Sequence, residues 1–429
     1  MAKEISIFWF RRDLRLFDNK AFSDALRSGG KVLPIFIFDT SILNELEKDD
    51  SRVTFIHSVL SGINEELKKW NGGLKCYVGK PLEVWKNVLK EYNVKTVYTN
   101  EDYEPYAIKR DQEIRDLLLG NSIEFKSFKD QVIFSKSEVV KDDGTPYTVF
   151  TPFKKKWLMK LHDNFQQLES HDLELKNVLK ATFEIPSLSE LGFEKSAVKV
   201  IDYRFDNLSN YKDLRDIPSE DATSYLSPHL RFGTVSVRKL VKQFLSNEVF
   251  LSELIWREFF MQILYHFPRV IDGNFRKKYD GIKWRNNEME FEKWKTGETG
   301  YPMVDAGIRQ LNQTGYMHNR VRMVVASFLC KHLLIDWRWG EAYFAEKLLD
   351  FELASNNGNW QWAAGTGCDA APYFRVFNPS EQLKKFDKNG EYIRKWIPEF
   401  DSLEYPSPIV DHKEARQRAL KVYKEGILD

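Results

Sequence analysis

Glu253, Trp256 and Arg257 combine an acid, a large flat ring and a guanidinium within ELIWREFF, at 253–260. In a helix, residues three and four positions apart share one face, so these side chains would point the same way. Such a face could stack on a planar group and hydrogen-bond its edge. The alternative is an ordinary Glu253–Arg257 ion pair beside a core tryptophan, and the spacing leaves both open.

Two arginines in YMHNRVRM, at 316–323, predict an anion next to their helix. Arg320 and Arg322 are two positions apart, so one can reach solvent while the other faces inward. A guanidinium that faces inward needs an anionic partner, because an isolated buried charge is very costly. Asp350 and Glu352, in LDFELA, are the candidate partners. Alternatively, Arg320 is solvated and Arg322 forms a purely structural pair.

Tryptophan is concentrated in the C-terminal part, where eight of the twelve lie after residue 250. Trp360 and Trp362 stand in SNNGNWQWAAGTG, at 355–367, among asparagines and glycines that are poor helix and strand formers. Being two positions apart, they should face opposite ways, one into the core and one towards a cavity. Trp284 and Trp337 belong to the same enrichment, and each tryptophan could equally be an ordinary core or interface residue.

Two further stretches have features of anion binding. In TSYLSPHLRFG, at 223–233, Thr223 and Ser224 precede a helical run. Hydroxyls and free N–H groups at a helix start bind phosphate, although N-capping is the commoner role of such residues. RKKYDGIKWR, at 276–285, carries five basic residues and one acid. It is either a solvated face or, beside an aromatic pocket, a nucleic-acid contact.

The first 130 residues predict an α/β domain. Apolar runs at 5–10, 32–39, 74–79, 94–100 and 122–128 are typical of strands, and segments of helical spacing separate them. This alternation predicts a doubly wound parallel sheet, with ligands at the carboxyl ends of its strands. No GxGxxG follows the first strand, so the usual dinucleotide fingerprint is missing.

The remaining chain predicts a connector and a helical domain. Residues 131–205 mix a DDGTP turn, a helix-like stretch and weakly patterned sequence, and after about 206 helical segments such as GEAYFAEKLLDFELA dominate. The predicted fold class is α/β + all-α: an N-terminal doubly wound parallel-sheet (Rossmann-like) domain over 1–130, a long connector over 131–205, and a C-terminal helical domain over 206–429.

Composition excludes several classes of protein. The chain is 42% hydrophobic and 30% charged, which is typical of a globular protein. No apolar run approaches the ~18 residues of a membrane span, and the N-terminus lacks the features of a signal peptide. Three scattered cysteines have neither disulfide nor metal spacing. We expect a cytoplasmic protein without a metal or membrane contact, and at net charge +1 any polyanion must meet a local patch.

Taken together, the motifs resemble the cryptochrome/photolyase family over nearly the whole chain. They are, in order, FRRDLRLFDN, TSYLS, ELIWREFF, KTGETGYPMVDAGIRQL, YMHNRVRM, LLIDW, NNGNWQWAAGTGCDAAPYFRVFNP and HKEARQRAL. Within the family the chain is most similar to class I cyclobutane pyrimidine dimer photolyases, which use light and reduced FAD to split pyrimidine dimers. The resemblance implies a carbon–carbon lyase, with a helical FAD-binding domain, that acts as a monomer on UV-damaged DNA.

The resemblance also assigns catalytic roles. It places Trp360 nearest the flavin, Trp337 next and Trp284 outermost in an electron relay. Asn356 corresponds to the residue beside flavin N5, where a neutral amide favours the reduced form, FADH⁻. Glu253 would hydrogen-bond the lesion bases after they leave the stack.

Two larger sets of contacts follow from the same resemblance. The implied flavin contacts are Tyr211, Thr223, Ser224, Tyr225, Leu226, Ser227, Asn319, Arg322, Asp350, Phe351, Glu352 and Asn356. The implied lesion and DNA contacts are Arg215, Glu253, Trp256, Arg257, Arg320, Met323, Trp362 and Gln382. No metal ligand is implied.

Some positions depart from the family pattern and leave alternatives open. Glu352 and His332 stand where many relatives carry Asp. Folate-binding relatives carry Asn-Glu where this chain has Pro105 and Tyr106, which disfavours a folate antenna and leaves a deazaflavin, FMN or no antenna. The alternative functions are a blue-light photoreceptor (cryptochrome) and a flavin protein that binds DNA without photochemistry. Plant cryptochromes carry Asp where Asn356 stands, so this residue favours repair.

Overall fold

The structure is a computed structural model that describes residues 4–427, apart from the side chain of Asn207. The chain divides into two compact units. The first comprises Met1–Val140, Lys155–Asp202 and Leu226–Glu258, and the second comprises Lys141–Lys154, Tyr203–Tyr225 and Phe259–Asp429. The boundaries that we infer from the sequence, near residues 130 and 205, describe a different division and remain predictions.

A five-stranded parallel sheet forms the centre of the first unit, with the strand order β3-β2-β1-β4-β5. Its elements are β1 (Ile5–Phe10), α1 (Lys20–Arg27), β2 (Lys31–Asp39), α2 (Thr40–Leu43), α3 (Ser51–Lys68), β3 (Lys75–Gly79), α4 (Pro81–Glu91), β4 (Val94–Asn100), α5 (Pro105–Gly120) and β5 (Glu124–Phe128). This order confirms the predicted doubly wound sheet, and each strand lies within two residues of its predicted bounds.

Alternating side chains explain why β1 is apolar throughout. Successive residues of a strand point to opposite faces of the sheet. Phe8 and Phe10 accordingly pack in one core, whereas Ile7 and Trp9 pack in a second core that also contains Trp85 of α4. A parallel sheet that is covered on both faces requires apolar residues at every position, which is the pattern of ISIFWF.

Helices form the rest of the regular structure, and no β-strand follows Phe128 within residues 4–427. The helices are α6 (Phe150–Asp163), α7 (Tyr211–Leu214), α8 (Ser227–Phe232), α9 (Val237–Gln243), α10 (Glu248–His266), α11 (Glu288–Thr296), α12 (Pro302–Thr314), α13 (Asn319–Ser327), α14 (Trp337–Lys347), α15 (Leu353–Ala364), α16 (Pro379–Phe386), α17 (Glu391–Trp396) and α18 (His412–Glu425). A π-helical segment, Phe328–Leu333, continues α13. The predicted helical C-terminal part is confirmed.

One prediction about local structure is wrong. GEAYFAEKLLDFELA is not one helical segment, because α14 ends at Lys347 and α15 begins only at Leu353. The residues between them place Asp350 outside either helix. Gly358 and the asparagines on either side of it lie within α15, where a Cβ on Gly358 would come within 2.1 Å of Phe260 Cδ1. Close packing therefore outweighs the poor helix propensity of this glycine.

The helices were compared with the length and hydropathy of a membrane span. Within residues 4–427, none is both long enough and apolar enough to cross a bilayer.

Candidate functional site

Trp284, Trp337 and Trp360 belong to one hydrophobic cluster of the second unit. Trp337 and Trp360 are 0% and 2% exposed, whereas Trp284 is only partly buried against the cluster. The Trp337 Nε1–H donates to Asn274 Oδ1 at 3.0 Å, and the Trp284 ring meets Tyr423 edge-on with centroids 5.8 Å apart. Two buried indoles and a more exposed one suit the predicted electron relay, whose path remains a prediction.

Gly340 allows α14 and α15 to approach closely at Trp360. A Cβ on Gly340 would lie 2.1 Å from Trp360 Cη2, so only glycine fits there without a shift of the indole. The Trp360 ring also meets Phe344 and Trp294 edge-on, at centroid distances of 4.9 and 6.2 Å. Its Nε1 is buried and has no hydrogen-bond partner among the described residues.

This packing predicts that Gly340→Ala destabilises the second unit by about 1–3 kcal/mol, the usual range for an overpacked core. Because the added methyl displaces the Trp360 ring, intrinsic tryptophan fluorescence should change as well. Chemical denaturation measures the free energy of unfolding. Gly62→Ala in α3 is the matched control, since a Cβ there meets nothing within 4 Å and should be neutral or stabilising. Equal stabilities of the two variants would contradict the steric argument.

Asn356 lies one helical turn before Trp360 on the same face of α15 and is 8% exposed. Its Nδ2 donates to the main-chain oxygen of Glu341 at 3.0 Å. Because a carbonyl accepts only from the amide N–H₂, this contact fixes which end of the amide faces α14. Among the described residues no donor reaches Asn356 Oδ1.

The sequence gives no particular signal for Glu341, which nevertheless contacts the Asn356 amide. Burial raises the pKa of the Glu341 carboxyl to about 7. Its Oε1 is buried and no hydrogen-bond partner is found for it within residues 4–427. A buried carboxyl with an unsatisfied oxygen is expensive, so it marks a position that calls for an explanation.

Arg322 and Asp350 form a two-pronged ion pair. Arg322 Nη1 and Nη2 lie 3.2 and 3.0 Å from the two carboxylate oxygens, and its Nε–H donates to Met317 O at 2.8 Å. Asp350 is thus the anionic partner of Arg322, and it is one of the two candidates that the sequence predicts for an arginine that faces inward. Glu352 is the N-cap residue of α15, and its Oε2 accepts from Ser355 Oγ at 3.1 Å.

Arg320 takes a different direction from the same helix, as its spacing predicts. Its Nη2 lies 2.9 Å from Asp216 Oδ2, and its guanidinium stands 4.4 Å from the centroid of the Phe386 ring. It is therefore not simply solvated. Met323 is half-buried one turn later, with its sulfur 3.7 Å from Arg320 Nη1.

Other second-unit residues with predicted roles lie at or near the surface. Asn319 is exposed at the start of α13, whereas Gln382 of α16 and Trp362 are partly exposed. Trp362 is thus less buried than Trp360, in agreement with their spacing. Phe351 is partly buried against the cluster of the three indoles.

The segment that precedes α8 has a strained turn. Tyr225 has a left-handed φ of 52°, and its hydroxyl donates to Asp221 Oδ1 at 2.8 Å. The first helical residue of α8 is Ser227 and its N-cap is Leu226, without a side-chain cap, so Thr223 and Ser224 do not cap this helix. Their predicted contact with the cofactor stays a prediction.

Tyr211 and Arg215 lie in and just after α7 in the second unit. The Arg215 guanidinium stands 5.3 Å from the centroid of the Tyr211 ring. This stacking holds the Arg215 guanidinium next to the Tyr211 ring. The resemblance assigns Arg215 to the DNA and Tyr211 to the flavin.

The acid, ring and guanidinium of ELIWREFF lie on α10 in the first unit. Glu253 and Trp256 are half-exposed, whereas Arg257 Nη1 donates to Gln131 O at 2.8 Å. Arg257 therefore anchors the chain near residue 131. The sequence predicts a contact of Arg257 with DNA but not this structural contact.

Glu258 is a buried residue that the sequence does not single out. Its carboxylate accepts from the main-chain N–H groups of Ile133 and Phe134 and from Trp157 Nε1, at 2.8, 2.9 and 2.6 Å. These three bonds fix the part of α10 that carries Trp256. Nothing in a single sequence distinguishes this glutamate from an exposed one.

The comparisons with known proteins concern the family of the chain. The profile described as the FAD binding domain of DNA photolyase matches residues 250–404, and the profile described as DNA photolyase matches residues 6–171. A deoxyribodipyrimidine photo-lyase of Agrobacterium fabrum is 36% identical, over 97% of this chain and 97% of the relative.

Solved structures show the same similarity. A bacterial class III photolyase from Agrobacterium tumefaciens has a TM-score of 0.88 and 34% identity, over 99% of this chain and 98% of the other. An archaeal photolyase from Sulfolobus tokodaii, solved with two FAD molecules, has a TM-score of 0.86 and 37% identity, over 99% and 100%. A Synechocystis cryptochrome has a TM-score of 0.84 but 26% identity, over 98% and 99%.

Proposed function

The chain belongs to the DNA photolyase family, and from this premise we propose how its residues carry out light-dependent DNA repair. The protein is a deoxyribodipyrimidine photo-lyase, which splits cyclobutane pyrimidine dimers. The observation that carries this conclusion is the match of 36% identity over almost the full length of both chains to a relative with that activity in its name. Its substrate is therefore DNA that contains pyrimidine dimers.

FAD is the cofactor, and Arg322, Asp350 and Asn356 of the second unit fit it. Bound and reduced, it supplies the light-driven electron that opens the dimer. The Arg322–Asp350 pair would hold its polar ring edge, and the Asn356 amide oxygen, which no described residue satisfies, would accept an N–H from it. Tyr211, Thr223, Ser224, Tyr225, Leu226, Ser227, Asn319, Phe351 and Glu352 are the other proposed contacts.

The three indoles would keep the cofactor reduced. Indole is a polarisable ring that gives up an electron and is refilled by the next indole along the relay. Trp360 and Trp337 are shielded from water, and Trp284 has the exposure that an external reductant needs. The relay would act when the cofactor has become oxidised and would not take part in each repair event.

Lesion recognition would combine stacking with hydrogen bonds. Bases that leave the duplex cost a few kcal/mol of stacking, which a binding site regains by packing and by contacts to the base edges. Trp256 and Trp362 would supply the packing and Glu253 the hydrogen bond. Arg215, Arg257, Arg320, Met323 and Gln382 complete the proposed contacts, and those to phosphate would make binding salt-dependent.

Repair under light is the direct test of this function. We expect the purified, reduced protein to remove cyclobutane dimers from UV-irradiated DNA under blue light and to leave them intact in the dark. The measurement is loss of dimers by chromatography or by restored cleavage at a blocked restriction site. Dimers that persist after illumination, although DNA binding and a reduced cofactor are verified, would overturn the proposal.

Signalling as a blue-light photoreceptor is the second candidate function. The 26% identity to a cryptochrome supports it, whereas the amide of Asn356 and the higher identity to photolyases favour repair. Dimer binding without repair, together with light-dependent association with another protein, would favour signalling.

A second chromophore would bind in the first unit, at the carboxyl end of the sheet. There the guanidinium groups of Arg11 and Arg110 lie 5.2 and 5.0 Å from the centroid of the Trp9 ring. We keep a deazaflavin or FMN as the candidates, and the Sulfolobus relative with two FAD molecules supports a flavin. We also propose a cytoplasmic monomer.

A further inference from the structure

We propose that Asp216 is a specificity-determining residue for DNA binding, because it neutralises Arg320 and fixes the direction of its guanidinium. Paired in this way, Arg320 contributes to the recognition of the lesion but little to the binding of undamaged DNA. The inference rests on the proposed function, which assigns Arg320 to the DNA. It concerns an acid that is not among the predicted contacts.

The first step is the ion pair itself. Arg320 is the second residue of α13, and its Nη2 lies 2.9 Å from Asp216 Oδ2. Asp216 follows α7, and the next residue, Ile217, packs against the hydrophobic cluster that contains the three indoles. The Ile217 N–H also donates to Leu214 O at 3.0 Å. The carboxylate is therefore carried by a segment that is itself held in place, so it can support the arginine.

The second step is the packing of the guanidinium. It stands 4.4 Å from the centroid of the Phe386 ring, and its Nε is buried without a hydrogen-bond partner within residues 4–427. Its Nη1 lies 3.7 Å from the sulfur of Met323, which is a weak acceptor. The ring and the carboxylate together fix the guanidinium, while Nη1 keeps hydrogens for a ligand. The Arg320 side chain is 19% exposed, so part of the group is accessible.

The third step is the net charge of the pair. A guanidinium and a carboxylate 2.9 Å apart largely cancel each other as seen from a DNA phosphate beyond them. His318, the N-cap residue of α13, adds no charge at neutral pH. Its Nδ1 accepts from the Arg320 main-chain N–H at 3.2 Å, and burial lowers the pKa of this imidazole to about 4.

Undamaged and damaged DNA depend on this charge to different degrees. Nonspecific binding depends almost entirely on the positive charge that meets the phosphates, whereas a specific complex also uses directed hydrogen bonds. A neutralised arginine is lost to the first kind of binding and remains a donor of fixed direction for the second. Discrimination is a difference between two affinities, so an acid that weakens the unwanted complex increases it.

Three variants test this role by dark binding to matched duplexes with and without one cyclobutane dimer, over a range of salt concentrations. Asp216→Asn removes the negative charge. Asp216→Asn combined with Arg320→Ala removes the pair without changing the net charge. Asp401→Asn is the matched control, because it makes the same charge change in an exposed ion pair of the same unit. FAD content and the free energy of unfolding verify that each variant is folded.

For undamaged DNA, we expect Asp216→Asn to steepen the slope of log K against log salt by about 0.9, the effect of one added phosphate contact. Its affinity should rise roughly threefold at low salt and fall about threefold more than that of the wild type between about 50 and 200 mM salt. Its affinity for dimer-containing DNA should stay within about twofold, because the arginine loses its fixed direction as it gains effective charge. Asp401→Asn should match the wild type with both duplexes.

The double variant separates charge from direction. We expect it to keep the wild-type salt dependence for undamaged DNA but to bind the dimer roughly tenfold more weakly, since hydrogen bonds from a charged donor are lost. Wild-type affinity of the double variant for the dimer would contradict the directed contact of Arg320.

The single variants can also overturn the inference. An unchanged slope in Asp216→Asn would show that Asp216 does not neutralise Arg320, and equal steepening in Asp401→Asn would assign the effect to the overall charge. An equal gain in affinity for both duplexes would show that Asp216 does not determine specificity. All of these measurements are made in the dark, so repair by the wild-type protein under light tests the proposed function separately.

Discussion

Trp360→Phe should lower the rate of light-driven reduction of the bound FAD by roughly a hundredfold, which corresponds to about 2.7 kcal/mol in the barrier. A benzene ring is far harder to oxidise than an indole, so the first step of the proposed relay is lost. Repair by protein that is chemically reduced beforehand should be unchanged, because the relay only refills the cofactor. Absorbance of FAD during illumination with an external reductant measures the first rate, and dimer loss measures the second.

Trp294→Phe is the control for this experiment. Trp294 is 0% exposed, and its ring centroid lies 6.2 Å from that of Trp360, so the two substitutions remove similar rings from one cluster. If the electron travels through Trp337 and Trp284, Trp294→Phe should reduce FAD nearly as fast as the wild type. An equal loss in both variants would instead assign the path to Trp294 and contradict the relay proposed here.

A single sequence predicts those parts of the fold that depend on a local pattern of residues. The strands of the sheet follow from unbroken apolar runs such as ISIFWF, because both faces of a parallel sheet are covered. The interruption between α14 and α15 was not predictable in this way. Leu348, Leu349 and Phe351 continue the apolar spacing of a helix, yet Leu348 is extended, with ψ of 127°.

The same distinction applies to the residues of the candidate site: some are predictable from the sequence and others are not. The spacing of the sequence singles out Trp360 and Arg322 as candidates, and the family resemblance adds Asn356. Glu341 and Glu258 carry no such signal, because an exposed glutamate and a buried one look identical in a sequence. Only the three-dimensional structure shows that Glu258 accepts from two main-chain N–H groups and that the main-chain oxygen of Glu341 accepts from Asn356.

The ion pair of Arg322 and Asp350 supports the second large expected effect. Asp350→Ala should weaken FAD binding on the order of a hundredfold, since removal of one partner of a hydrogen-bonded, largely buried pair costs about 2–5 kcal/mol. The side chains of Arg322 and Asp350 are 27% and 7% exposed, so solvent screens the remaining guanidinium in part and the lower half of that range applies. Titration of the apoprotein with FAD measures the affinity.

A structural pair and a pair that serves the cofactor differ in one measurable respect. If Asp350 acts only in folding, Asp350→Ala should reduce the free energy of unfolding of the apoprotein and of the FAD-bound protein by the same amount. If the pair holds Arg322 against the flavin, the FAD-bound form should lose more, because stabilisation by a ligand falls with its affinity. Asp401→Ala provides the control, since the Arg394–Asp401 pair is 52% and 64% exposed and should contribute less than about 1 kcal/mol. Equal losses in the two forms of Asp350→Ala would therefore remove this pair from the flavin site, even if the variant protein were less stable.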